Sequence, residues 1–161
     1  MLDNNGSVIT LVEGKLALKG QNLTVTGTGG DLMVNDGGNL ELYGDETVTL
    51  VSTYPTLDTG STVTYTGDGD AGADTYTITV LEDGYSNLVI NSTDGATDTF
   101  QLGTALDVNG NFTLTAGKVD VVSGQNYAVN VAGNWSNSGT FTARSGTVTL
   151  DGVNQTLTGA T

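Results

Sequence analysis

The chain has 161 residues, with four basic against 18 acidic residues and a formal net charge of −14. Four scattered cations cannot neutralise a phosphate backbone, so the composition argues against nucleic acid and anionic membrane surfaces as partners. No run approaches the ~20 apolar residues of a membrane span, so membrane insertion is not predicted. Cysteine is absent, which excludes disulfide bonds.

Short alternating segments run along the chain and predict strands with one buried face. In chain order they are LAL (16–18), LTV (23–25), LMV (32–34), LEL (40–42), VTL (48–50), VTY (63–65), YTITV (76–80), LVI (88–90), FQL (100–102), LDV (106–108), FTL (112–114), VDV (119–121), YAVNV (127–131), TFT (140–142), VTL (148–150) and TLT (156–158). Their alternation has the period of a strand, and the Gly, Asn, Asp and Ser residues between them suit tight turns. Apolar spacing typical of a helix does not occur. We therefore expect one all-β domain over residues 1–161.

Two architectures fit strands this short. An antiparallel β-sandwich would use dipeptides such as Asn109-Gly110 as hairpin turns. A right-handed parallel β-helix, or β-solenoid, would place about three strands in each coil. The frame Val-x-Gly-Asn-aromatic occurs in VNGNF (108–112) and again 23 residues later in VAGNW (131–135). That interval favours the solenoid, with Phe112 and Trp135 stacked on adjacent coils ~4.8 Å apart.

Longer echoes give further support to a repeating architecture. GKLALKGQNLTVTG (14–27) resembles GKVDVVSGQNYAVNVAG (117–133), and GSTVTYTG (60–67) resembles SGTVTLDG (145–152). Residues 53–86 depart from the pattern because the stretches between their strands are longer, so we expect an irregular insertion there. The chain is interpreted as one unit or fragment of a longer repeat array.

Residues 87–159 resemble a known class of repeat. The phrases NLVIN (87–91), LDVNGNFTLTAG (106–117), YAVNVAGNWSNSG (127–139) and GTVTLDG (146–152) are similar to the β-helical repeat regions of large bacterial surface and secreted proteins. These include filamentous-haemagglutinin-like and autotransporter-type adhesins. The resemblance covers the C-terminal half well and the N-terminal half loosely. It implies an exported, non-enzymatic parallel β-helix and carries over no catalytic residues.

The stretch DGDAGAD (68–74) is the sharpest local candidate for a ligand site. Asp68, Asp70 and Asp74 place carboxylates at i, i+2 and i+6, a spacing that calcium loops share, and Glu82 and Asp83 follow. Gly72 stands at i+4, however, and no bidentate Glu lies at the expected distance. Asp and Gly also suit any exposed turn. Two interpretations of residues 68–74 therefore stay open: a calcium site formed by the three aspartates, or a solvated loop. No other cofactor is predicted.

Other side chains suggest weaker possibilities. Exposed tyrosines stack on sugar rings, which makes surface glycans a candidate partner, although tyrosines at corners also pack over coil ends; the candidates are Tyr43, Tyr54, Tyr65 and Tyr85. Thr-x-Thr pairs raise ice binding as an alternative, against the ordinary use of Thr as a strand former. An enzyme is not predicted, because His is absent and no nucleophile elbow, phosphate loop or singled-out carboxylate pair is present.

These observations together predict an extracellular or cell-surface structural module of a bacterium. The acidic, Thr/Gly/Asn-rich composition is typical of exported surface proteins, although the start, MLDNNGSVITL, lacks the features of a signal peptide. No polar cap is visible at either end of the predicted stack, so we expect adjacent repeats or copies of itself as end-to-end partners. The alternative is a carbohydrate-binding or calcium-dependent adhesion module.

Overall fold

A computed structural model describes the chain at residues 2–5, 9–11, 13–26, 31–51, 55–79, 81, 84–95 and 97–159. These residues form short strands without any helix. Every pairing between the strands is parallel. Hairpins pair strands in opposite directions, so the antiparallel sandwich is wrong and the β-solenoid is confirmed.

The strands occupy three faces, visited in turn by each coil. Face 1 holds β1 (Leu2–Asn5), β4 (Leu23–Thr26), β7 (Val48–Thr49), β10 (Thr75–Ile78), β12 (Thr99–Leu102), β15 (Lys118–Asp120) and β18 (Thr140–Thr142). Face 2 holds β2 (Ile9–Leu11), β5 (Leu32–Val34), β8 (Thr56–Leu57), β13 (Leu106–Val108), β16 (Val129–Val131) and β19 (Val148–Leu150). Face 3 holds β3 (Lys15–Ala17), β6 (Asn39–Leu42), β9 (Thr62–Tyr65), β11 (Asn87–Asn91), β14 (Phe112–Ala116), β17 (Trp135–Asn137) and β20 (Leu157–Gly159).

The core consists of apolar columns that run along the stack. In face 3 the inward positions are in register from strand to strand, and all of the following are buried: Leu40, Val63, Leu88, Phe112 and Trp135. The rings of Phe112 and Trp135 stack with centroids 4.4 Å apart. The predicted superposition of the two aromatic residues is therefore confirmed, and each coil buries the apolar side chains of its neighbours.

The Gly-Asn part of the repeated frame shapes the corner before each face 3 strand. The Asn111 N–H donates to Asn87 Oδ1 at 3.0 Å, and the Asn134 N–H donates to Asn111 Oδ1 at 2.8 Å. A side chain at Gly133 would overlap the main chain of Gly110, so the corners approach as closely as only glycine permits. The 23-residue frame thus marks an asparagine ladder as well as the aromatic stack.

Two of the three faces are interrupted part-way along the stack. Face 3 is one seven-stranded sheet, whereas face 1 divides between β7 and β10 and face 2 divides between β8 and β13. At the break in face 2, Tyr85 forms an isolated parallel bridge with Val108 instead of a full strand. Face 3 therefore carries the continuous ladder that joins the two halves of the described stack.

The longer sequence echoes do not mark equivalent positions in successive coils. Residues 14–27 contain β3 of face 3 and β4 of face 1, whereas residues 117–133 contain β15 of face 1 and β16 of face 2. Similarly, 60–67 contains β9 of face 3 but 145–152 contains β19 of face 2. The echoes reflect a shared strand-and-corner chemistry, since all three faces present the same alternation, and they do not report the coil period.

Candidate functional site

The structure brings together the three aspartates that the sequence singles out. They lie in the loop between β9 and β10, where one carboxylate oxygen each from Asp68, Asp70 and Asp74 lies within 4.8 Å of the others. Asp68 and Asp70 are exposed, whereas Asp74 is half-buried. The loop also binds itself, because the Gly72 N–H donates to Asp70 Oδ1 at 2.6 Å. Oxygen atoms at this spacing are the ligand type that calcium prefers.

Two further aspartates from the following coil hold this loop in place. Asp94 accepts hydrogen bonds from the N–H groups of Gly69 and Ala71 at 3.2 and 2.9 Å. The buried Asp98 accepts from the Asp74 N–H at 3.2 Å and from the Ser92 hydroxyl at 2.8 Å. Asp94 and Asp98 carry no signal in the sequence beyond their charge, because their role depends on the coil that stacks beside them.

The neighbouring carboxylates change the ionisation of Asp74. Partial desolvation raises the pKa of Asp74, and the negative charges of Asp70 and Asp68 raise it further, with smaller effects from the two aspartates of the next coil. A divalent cation would relieve this repulsion, so the electrostatics favour cation binding. Calcium at Asp68, Asp70 and Asp74 stays a prediction. Glu82 and Asp83, also considered from the sequence, lie outside the described residues.

Two of the four tyrosines considered for sugar stacking are buried. The hydroxyls of Tyr65 and Tyr85 lie 3.0 Å apart, and the Tyr85 O–H donates to the Thr79 carbonyl at 3.1 Å, which leaves Tyr65 as the donor to Tyr85. Burial raises the pKa of both phenols. The interpretation of these two residues as a sugar platform is wrong, because both side chains are buried in the core. Tyr43 is half-buried, and Tyr54 lies outside the described residues.

A cleft of about 400 Å³ lies along the corner between faces 2 and 3 and crosses three coils. Its walls combine one aliphatic side chain with hydroxyl, amide and backbone groups, without a charged residue: Leu57, Thr59, Ser86, Asn87, Asn109 and Gly110. Part of the lining is fixed, since Ser86 Oγ accepts the Gly60 N–H at 2.8 Å and Asn87 Nδ2 donates to the Ser61 carbonyl at 2.9 Å. Sequence analysis did not predict this cleft, because its lining comes from three separate coils.

The last coil, formed by β18, β19 and β20, is the second surface that stands out. Val148, Leu150 and Leu157 are 37%, 39% and 65% exposed, whereas their register partners Val129, Val131 and Trp135 are 0%, 0% and 6% exposed. The same inward positions are therefore covered in one coil and open in the next.

Comparison with known proteins adds no named relative. No family model, curated protein or solved structure matches the chain. Within the described residues, no helix has the length and hydropathy to cross a membrane.

Proposed function

We propose that the chain is a non-enzymatic structural module of an extracellular rod, serving as a stalk, filament or matrix unit. The observation that carries the proposal is the set of buried apolar columns that pass in register from coil to coil along the stack. A stack of this kind gains length with each added coil, by ~4.8 Å per strand. The seven strands of face 3 therefore rise about 29 Å along the axis.

The construction of the stack suits a mechanical role. Neighbouring coils are joined on face 3 by an unbroken parallel ladder, and side-chain bonds such as the Asn87–Asn111–Asn134 series add to it. Several corners are short: only residues 109–111 separate β13 from β14. Short, hydrogen-bonded corners offer few sites for proteolysis. The acidic composition and the resemblance to bacterial surface repeats support a place outside the cell.

Immunogold electron microscopy on the source cells tests this role. Antibodies against the folded chain should label surface fibres, stalks or matrix on intact cells that have not been permeabilised. An antibody against a cytoplasmic protein is the control and should label only broken cells. Labelling of this chain confined to broken cells would contradict an extracellular role.

The cleft between faces 2 and 3 favours a second candidate function, binding of a neutral saccharide. Its volume is in the range of small-molecule sites, and its uncharged hydroxyl and amide lining matches sugar hydroxyls rather than ions. A glycan array with the wild-type chain and the Asn109→Ala variant tests this candidate. Binding that the substitution weakens would support it, whereas an array without signal would contradict it.

A further inference from the structure

We propose that Asn109 is a site of spontaneous deamidation, which adds a carboxylate to the uncharged cleft between faces 2 and 3. The site lies in the corner formed by residues 109–111, between β13 and β14. No enzyme is needed, because the attacking group is the main-chain nitrogen of Gly110 and the only other reactant is water. This modification goes beyond the proposed structural role and does not depend on it.

Deamidation of asparagine proceeds through a succinimide ring. The Gly110 nitrogen attacks Cγ of Asn109 and loses its proton, while the bond from Cγ to Nδ2 breaks and ammonia leaves. Water then opens the ring. Cleavage at the side-chain carbonyl gives aspartate, whereas cleavage at the main-chain carbonyl gives isoaspartate, in which the main chain runs through Cβ and Cγ of residue 109. Nothing is oxidised or reduced in either step.

The packing of neighbouring coils requires a glycine directly after Asn109. A Cβ at position 110 would overlap the Ser86 carbonyl oxygen and the side chain of Asn87, so no other residue fits there. A side chain on the following residue hinders attack of its nitrogen on asparagine, and glycine removes this hindrance. The close approach of the coils therefore also leaves Asn109 open to attack.

No hydrogen bond restrains either reacting group of this corner. Asn109 is exposed, and its side-chain amide has no hydrogen-bond partner among the described residues. The amide of Asn87 in the preceding coil, in contrast, is bonded through both its oxygen and its nitrogen. The Gly110 N–H likewise donates to no acceptor within the described ranges. The Asn109 amide can therefore rotate towards the nitrogen, and an unbonded N–H loses its proton more readily.

The following coils provide an internal comparison. Ala132 and Asp151 occupy the position of Asn109 in the next two coils, because each follows a face 2 strand in register and donates its N–H to the coil before. The corner thus already accommodates aspartate, the product expected at Asn109. Gly133 follows Ala132, but its N–H is bonded to the Gly110 carbonyl at 2.8 Å. Equivalent corners therefore differ in whether the attacking nitrogen is bonded.

Deamidation changes both the charge of the cleft and the corner itself. The lining contains no charged side chain among the described residues, so aspartate at position 109 would add the first carboxylate to it. A fixed negative charge favours cationic over neutral ligands. Isoaspartate would also lengthen the main chain in the short corner before Phe112, and this change should lower the stability of the fold.

Peptide mapping by mass spectrometry tests the inference. In the folded wild-type chain, held at physiological temperature and mildly alkaline pH, Asn109 should convert to aspartate and isoaspartate. The exposed Asn134, which precedes the bulky Trp135, should stay intact. The Ala132→Asn variant repeats the sequence Val-Asn-Gly-Asn in the next coil. Its new asparagine should react about fivefold more slowly than Asn109, because the Gly133 N–H is bonded.

Unfolding the chain separates the effect of the fold from that of the local sequence. In urea the two Asn-Gly sites of the Ala132→Asn variant should react at similar rates. Circular dichroism establishes that the variant is folded in buffer; if it is not, Asp151→Asn replaces it, since the Gly152 N–H is bonded to Gln155 Oε1 at 2.9 Å. An Asn109 that stays intact in the folded wild type would overturn the inference, and so would equal rates at the two sites in the folded variant.

Discussion

Arg144 and Asp120 form a bidentate ion pair that joins the last coil to the coil before it. Nε and Nη2 of Arg144 donate to the two carboxylate oxygens of Asp120, each at 2.6 Å, and the Val122 N–H donates to the same carboxylate at 2.9 Å. The Asp120 carboxylate is largely buried, although the Arg144 side chain is partly exposed. Paired hydrogen bonds of this geometry are the stronger class of ion pair.

Breaking this ion pair should destabilise the fold. We expect Asp120→Asn to lower the melting temperature by roughly 2–4 °C, the shift that ~1 kcal/mol produces in a chain of this size. Glu41→Gln is the control, because it breaks the more exposed pair between Lys15 and Glu41, which should contribute less. Equal shifts for the two variants in calorimetry would contradict the distinction.

The ion pair between Arg144 and Asp120 makes the stability of the fold depend on pH. The hydrogen bonds from Arg144 lower the pKa of Asp120 against the opposing effect of partial burial. A lowered folded-state pKa contributes stability that is present above the unfolded value of about 3.9 and is lost as the pH falls through the folded value. The difference in melting temperature between wild type and Asp120→Asn should therefore be full near neutrality and shrink below about pH 4. A difference that grows in acid would contradict the sign.

Each hydrogen bond of the asparagine ladder should contribute to the free energy of unfolding. Asn111→Ala removes the acceptor for the Asn134 N–H and should lower the free energy of unfolding by about 0.5–1.5 kcal/mol. We expect a loss near the lower end of this range, because the corner is exposed and water can replace the hydrogen bond to the Asn134 N–H. Urea denaturation measures the change, and Asn109→Ala, an exposed residue outside the ladder, is the control. A loss no larger than that of the control would argue against the ladder.

The stacked aromatic pair should be a major part of the core. We expect Trp135→Ala to lower the free energy of unfolding by about 3–5 kcal/mol, the cost of removing a buried aromatic side chain. Trp135→Phe should retain most of the stability, since it keeps a ring against Phe112. Val51→Ala, at an exposed site, serves as the control in the same denaturation experiment. Equal losses for the alanine and phenylalanine variants at position 135 would show that stacking does not contribute.

Calcium should stabilise the chain if the aspartate loop binds it. We expect millimolar calcium to raise the melting temperature of the wild type, because binding to the folded state alone shifts the unfolding equilibrium. The Asp70→Asn/Asp74→Asn variant should lose this response, whereas Asp45→Asn, at an exposed aspartate elsewhere, should keep it. A wild-type melting temperature that calcium leaves unchanged would identify the loop as a solvated turn.

The sequence determined most of the strands and the coil period, because both depend on local spacing, although β1, β2 and β8 lie outside the predicted segments. Alternation over three residues marked the segments that became β5, β6, β13 and β19, and the 23-residue frame placed Trp135 over Phe112. The spacing within 68–74 also brought Asp68, Asp70 and Asp74 together, since one loop suffices to do so. The sequence did not distinguish the faces, because every face repeats the same alternation, and the two long echoes were therefore misleading.

Only the tertiary structure decided which of these residues are covered. Tyr65 is buried because it lies between Leu42 and Ile90 in a face 3 column, and Tyr85 is buried where its hydroxyl meets that of Tyr65. Leu157 is exposed at a position where Trp135 is not. Asp98 and Asn87 acquired their roles from partners in other coils. Strand formation depends on residues adjacent in sequence, so it could be predicted. Burial and hydrogen bonding in a stack depend on the neighbouring coil, roughly 23 residues away in sequence, so they could not.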